Sequence, residues 1–150
     1  MVIDRKLDED CILCDINPAE NNTFIRQYQF FTVLANFKQP TLGASLIVLN
    51  RHVSRLSEFI AAEKKEYWTV VDAVEYALDS AFEPDGVNYL MMANTVPHIH
   101  WHVVPRYKDP RQLAGARWVD ENYGTRAKLK TKQKSLEIIS AVVQEFQKYL

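Results

Sequence analysis

The chain has 150 residues, the size of one domain and long enough to bury a core. Hydrophobic residues make up 47% and charged residues 25%, as in an ordinary globular protein, and the net charge of −1 gives no basic stripe for polymeric nucleic acid or an anionic membrane surface. No stretch approaches the ~18 apolar residues of a membrane span, and the charged opening from Met1 to Asp10 holds no signal-peptide run, so the expectation is a cytoplasmic protein without membrane attachment.

The two cysteines, Cys11 and Cys14, are spaced Cys-x-x-Cys. In a reducing compartment that spacing reads as a metal or redox pair before a structural disulfide, and no thioredoxin-like βαβ pattern comes after it. Residues 17–22 read as loop. Thr23–Tyr28 and Phe30–Ala35 are β-branched and aromatic runs, hence strands, and Ala44–Leu49 is a short apolar run that fits a buried strand. Between them, Asn36 to Gly43 is a turn punctuated by Pro40 and Gly43. Asn36 either starts that turn or offers its amide to a ligand. Arg51, at the strand end, reads as a solvated charge.

The longest helical pattern runs from about Ser57 to Phe82. Tyr67, Val71, Val74, Leu78 and Phe82 form its apolar stripe, Trp68 beside them reads as core, and Pro84-Asp85-Gly86 is the stop. Asn88–Ala93 is the next strand, and a tight connection through Asn94 and Thr95 leads onward. After Tyr107 come a polar loop and a segment of weak periodicity carrying Trp118 and Tyr123, which would either cover a bound base or pack at a contact between copies. Leu136, Ile139, Val143, Phe146 and Leu150 form a last helical stripe. The order β-β-β-α-β-β with a terminal helix is an α+β pattern, with no internal repeat or second-domain linker.

The stretch that organises the chain is His98-Ile99-His100-Trp101-His102-Val103-Val104. Strict alternation predicts a half-buried strand whose residues at i, i+2 and i+4 share a face, roughly 6.5–7 Å apart. Three of the four histidines therefore point the same way, close enough to share one site.

These seven residues fit His-φ-His-φ-His-φ-φ, with φ apolar, and the chain thereby resembles the histidine triad (HIT) superfamily of nucleotide hydrolases and transferases. The next three residues, Pro105-Arg106-Tyr107, are also similar to those after the motif in many members. The resemblance extends from about Cys11 to about Tyr107. It implies one HIT domain over residues 1–150, with a motif-bearing core at about 11–107 and an extension at about 108–150. The implied fold is an antiparallel sheet of about five strands packed by a long helix, commonly as a homodimer.

The resemblance also implies roles. Cys11, Cys14, His52 and His98 correspond to a structural zinc site, a closed set of two thiolates and two imidazoles that leaves no position open for substrate. Asn36 corresponds to a ribose contact, Thr95 to a hydroxyl on the phosphate or leaving group, and Asn94 to a second polar contact. The connection carrying these last two is shorter than in many members and lacks their glycine. His100 corresponds to the nucleophile.

Imidazole suits that task, being largely neutral and nucleophilic at pH 7 from an ordinary pKa near 6.5. His102, and His98 where it is not committed to zinc, would fix its tautomer. The expected activity is hydrolysis at the α-phosphate of a small nucleotide conjugate, with a purine nucleotide as partner, through a nucleotidyl-histidine. Two alternatives remain: a non-catalytic nucleotide- or partner-binding module, and a hydrolase in which the triad itself binds catalytic zinc.

Overall fold

A computed structural model describes residue 8 and residues 10–150. The elements are β1 (Phe24–Gln27), β2 (Phe31–Ala35), β3 (Ser45–Leu49), α1 (Ala61–Phe82), β4 (Gly86–Met91), β5 (His100–Arg106), β6 (Arg111–Leu113), β7 (Ala116–Trp118) and α2 (Leu136–Gln147). Five strands form one antiparallel sheet in the order β1-β2-β3-β5-β4, and β6 and β7 form a separate hairpin. The expected five-stranded sheet with a long helix and a C-terminal helix is what the chain forms.

Alternation gives the sheet two distinct faces. Phe31, Val33, Ile47, Leu49, Ile99 and Val103 face one way and pack against Val70, Val74 and Leu78 of α1 and Ile139, Val142 and Phe146 of α2. Trp101 joins this side, its ring 4.3 Å from that of Tyr67 and 5.8 Å from that of Phe59. The opposite face carries Leu34, Leu46 and Val48, with Cys11, Leu13 and Ile16 of the N-terminal segment lying over it. His100 and His102 belong to this second face, so the helical core and the candidate site are separated by one sheet thickness.

The long helix begins at Ala61, later than its apolar pattern suggests, because Leu56–Glu58 form a 3-10 turn and the Glu63 carboxylate accepts the Ile60 N–H at 3.1 Å. Trp68, expected in the core, is 65% exposed, one position off the buried stripe. The hairpin β6–β7 has no clear sequence signal because its strands are only three residues long; Ala114 and Gly115, at φ 49° and 79°, make its turn. At Gly43, φ is +85° and a Cβ would lie 2.8 Å from Phe82 Cδ2, so the turn between β2 and β3 requires glycine there.

Candidate active site and metal centre

Cys11, Cys14, His52 and His98 converge, their ligand atoms all within 4.8 Å of one another. Cys11 Sγ lies 3.4 Å from His98 Nδ1, and Cys14 Sγ lies 3.4 Å from the same nitrogen and 3.2 Å from His52 Nδ1. A tetrahedral zinc with bonds of about 2.3 Å to sulfur and 2.0 Å to nitrogen needs edges of about 3.5 Å, so this donor set fits the ion. The outward nitrogens are also engaged. His98 Nε2–H donates to the Leu49 carbonyl at 2.5 Å, fixing Nδ1 as the lone-pair nitrogen, and His52 Nε2 lies 3.8 Å from the Asp8 carboxylate. Burial pushes the Cys14 thiol above its ordinary value, and burial likewise pushes His98 down.

The three histidines share the sheet face, but not one task. His98 precedes β5 and turns its ring to the cysteines. His100, opposite Val48 of β3, directs Nδ1 at the His98 carbonyl at 2.7 Å. Since a carbonyl only accepts, Nδ1 carries a proton, and in the neutral ring the lone pair is then on Nε2. His102 stands between Leu46 and Leu90 on the flanking strands, its ring 5.2 Å from that of His100. Burial, and secondarily the neighbouring His100, pushes His102 down to about 4, so it is neutral at physiological pH; its buried Nδ1 has no partner among the described residues.

His102 enters a cavity of about 460 Å³. Leu34, Leu46 and Met92 from the sheet and Ile12, Leu13 and Ile16 from the N-terminal segment give it mostly apolar walls. Asn36 lies at another side. Its Oδ1 accepts the Lys38 N–H at 2.9 Å, so the residue both builds the turn and lines the cavity. Size and lining suit a base and ribose. Thr95 and Asn94 are both exposed, and Thr95 lines a different cavity, with Cys11, His52 and Asp8. Arg51 is not simply solvated: its Nε donates to the fully buried Glu63 at 2.5 Å and its Nη2 to the Glu58 carbonyl at 2.6 Å, fixing the segment that carries His52.

Several supporting residues carry no sequence signal. Gln39, buried at φ 41°, donates through Nε2 to the carbonyls of Asn36 and Ala44 and accepts the Gly43 N–H, so its side chain is the inner frame of the Asn36 turn. Trp118 is core, and its indole N–H donates to the Gln39 carbonyl at 2.9 Å; Tyr123 remains at the surface. Arg106, at the end of β5, is paired with Asp120 at 2.7 Å and also reaches Asn88 and the carbonyls of Asn122 and Thr125. Leu129 and Lys130 add a wall to the cavity from far along the chain. The alternation Lys128-Leu129-Lys130-Thr131 is the one sequence hint of an extended strap.

The HIT domain family matches residues 18–109. The chain belongs to the HIT family. Protein hit of Bacillus subtilis (strain 168) is 31% identical over 106 residues, covering 66% of this chain and 72% of that protein. The asymmetrical bis(5'-nucleosyl)-tetraphosphatase of Schizosaccharomyces pombe is 27% identical over 96 residues, which cover 61% of this chain and 52% of that enzyme, so the chain spans about half of that hydrolase. Among solved structures, a hypothetical histidine triad nucleotide-binding protein of Sulfolobus tokodaii superposes with a TM-score of 0.71 at 19% identity, over 93% of this chain and 91% of that one, a likeness of fold. Among the described residues of this HIT protein, no helix is long and apolar enough to cross a membrane.

Proposed function

We propose that this HIT protein hydrolyses a small nucleotide conjugate, a nucleoside phosphoramidate or a dinucleoside polyphosphate, at its α-phosphorus. The observation that carries the reading is the Nδ1–H of His100 on the His98 carbonyl, 2.7 Å apart, which leaves Nε2 of His100 free to attack. The base, a purine, lies between Ile12, Leu13 and Leu34, the ribose hydroxyls meet the Asn36 amide, and the 5'-phosphate reaches the histidines. Attack at phosphorus expels the leaving group and gives a nucleotidyl-His100, which water then resolves. His102, neutral and beside the nucleophile, orients the phosphate oxygens. Asn94 and Thr95 act on the leaving group where it emerges, which requires their connection to fold toward the histidines when substrate is bound. The family membership and the kinship with a bis(5'-nucleosyl)-tetraphosphatase support hydrolysis.

Zinc at Cys11, Cys14, His52 and His98 is structural in this reading. When bound it ties the N-terminal wall of the cavity to the start of the triad and supplies no step of the reaction. The whole chain acts as one HIT domain in the cytoplasm, the segment after Tyr107 completing the core through Trp118, Ile139 and Phe146. Two copies pair through the free edge of β4 and the face of α1 that bears Trp68 and Tyr76, which are 65% and 64% exposed.

The test is AMP release from adenosine phosphoramidate and from a dinucleoside polyphosphate by wild type and His100→Ala. Wild type turns over and the variant loses roughly 10³-fold or more. Equal turnover by a folded variant would sink the nucleophile. A second reading, a binding module without turnover, is favoured by the position of Thr95 away from the cavity and by His100 being only 8% exposed. It predicts AMP binding with no release from either conjugate.

A further inference from the structure

The segment between Glu121 and Glu137 carries five cations, Arg126, Lys128, Lys130, Lys132 and Lys134, and no carboxylate. In a chain of net charge −1 this is a local concentration with a definite location. The Thr131 hydroxyl donates to the Lys38 carbonyl at 3.1 Å, and the Lys134 N–H donates to the Phe37 carbonyl at 3.1 Å. The strap is thus tied to the turn that presents Asn36. Its lysines then divide. Lys134 lies over the Trp118 ring, 5.6 Å from the centroid, and Lys128 lines a separate cavity with Asp120 and Glu121. Lys130 lines the cavity that His102 enters, and so does Lys38. Among the described residues, neither makes an ion pair.

The sheet register sets the span between His102 and Asn36, the turn residue next to which Lys38 stands. Leu34 pairs with Leu46 and Leu46 with His102, so His102 and Leu34 are two strand spacings apart, and Asn36 is two residues beyond Leu34. At about 4.8 Å per strand and 3.3 Å per residue, the backbones of His102 and Asn36 are roughly 12 Å apart. Inward-reaching side chains from both ends leave room for one phosphate-ribose unit. With the 5'-phosphate at the histidines and the ribose at Asn36, the 2' and 3' hydroxyls would lie beside the turn that carries Lys38 and to which the strap bearing Lys130 is tied. A 5'-polyphosphate chain would leave from the opposite end. The neighbouring cavity, which meets this one at Asn21 and Phe37, is lined by Asp15 and Glu20 and repels an anion, so the lysine side is the one a second phosphate can occupy.

We propose that Lys38 and Lys130 form a subsite for a phosphate on the ribose, so that the nucleotide preferred is phosphorylated at its 2' or 3' hydroxyl as well as at 5'. This rests on the nucleotide-hydrolase reading and names its substrate class more closely. Lysine binds such a group as a flexible point charge, with charge-assisted hydrogen bonds.

The test is calorimetric titration of the full, zinc-loaded chain with AMP, ADP, adenosine 2',5'-bisphosphate and adenosine 3',5'-bisphosphate, repeated on Lys38→Gln/Lys130→Gln. One of the two bisphosphates binds about tenfold more tightly than AMP and more tightly than ADP, as one added charge-assisted contact would give, and the ratio to AMP falls to about one in the double variant. Both lysines are exposed, so the variant keeps the wild-type melting temperature. Equal binding of AMP and both bisphosphates overturns the subsite and leaves the hydrolase reading standing. An advantage shared equally by ADP also overturns it, because the lysines would then read the 5' chain. If none of the four nucleotides binds, the nucleotide reading itself fails and the subsite with it.

Discussion

His98 and His100 are coupled through the backbone of one and the ring of the other: His100 Nδ1 donates to the His98 carbonyl at 2.7 Å, while the His98 ring faces Cys11 and Cys14. One residue therefore belongs to the candidate metal centre by its side chain and to the proposed nucleophile by its main chain. Cys14→Ser and His98→Ala separate the two. In Cys14→Ser the His98 ring keeps its bond to Leu49, so the triad stays placed and the N-terminal wall loosens. KM then rises about tenfold, the equivalent of roughly 1.4 kcal/mol of wall contacts, with little change in kcat. His98→Ala lowers kcat as well. Steady-state kinetics on both variants, with zinc content measured alongside, reads the difference.

Chelation should act on the fold before it acts on chemistry. Removing a structural zinc withdraws binding free energy from the folded state alone, so the melting temperature drops with chelator and returns with added zinc. A hydrolase with zinc at the triad would instead lose turnover at a chelator concentration that leaves melting unchanged.

Acid should weaken the fold through His102. Its ordinary pKa of 6.5 is pushed down to about 4 in the folded chain, chiefly by burial. Below pH 6.5 the unfolded chain therefore takes up a proton that the folded chain refuses. Stability from this group is fully present above that pH, declines between about 6.5 and 4, and declines no further below 4. Urea midpoints measured across pH 4–7 should fall less steeply for His102→Gln than for wild type. Parallel slopes would show that His102 is not held neutral.

The Arg106–Asp120 pair makes the clearest stability prediction. The two side chains are 6% and 5% exposed, and the guanidinium gives all its donors to Asp120, Asn88 and the carbonyls of Asn122 and Thr125. Asp120→Ala leaves a buried cation with only neutral acceptors and costs about 3–5 kcal/mol in urea unfolding. Arg106→Met together with Asp120→Leu should recover much of that loss.

Gln39→Ala removes three hydrogen bonds that shape the turn behind Asn36. The Gly43 N–H loses its acceptor, and the Asn36 and Ala44 carbonyls each keep a backbone donor but lose their second, at a cost of roughly 1–3 kcal/mol. Nucleotide affinity should fall with it although Gln39 does not line the cavity. Melting and AMP titration on the same variant measure both effects.

The triad strand was legible because three identical polar residues alternating with apolar ones fit a half-buried strand and no helical period, and the register of β5 against β3 and β4 agrees with it. The strands before it and both helices showed their periodicity plainly. The convergence of Cys11, Cys14, His52 and His98 was legible only through resemblance, since His52 carries no local mark beyond Arg51 beside it. Gln39 was not legible, because a buried glutamine that serves as a backbone surrogate looks in sequence like any polar turn residue. Trp68 misled for a related reason: its side chain is as apolar as its neighbours', and only the helical phase, one residue past Tyr67 of the stripe, puts it outside. Lys38 and Lys130, far apart in sequence, meet only because the strap returns to the turn, a relation no local pattern encodes.

The division of the sheet into a packed face and a chemical face makes folding fidelity and activity inseparable. A slip of β5 by a single residue against β3 would carry Trp101 and Val103 onto the cavity side and press the imidazoles of His100 and His102 into the helical core. Such a slip would take the proposed nucleophile out of place and drag on His98, the candidate zinc ligand that leads into the strand. Misregistered molecules would therefore be silent in an assay, whereas zinc occupancy measured on each preparation would count the fraction of chains that reached the native register.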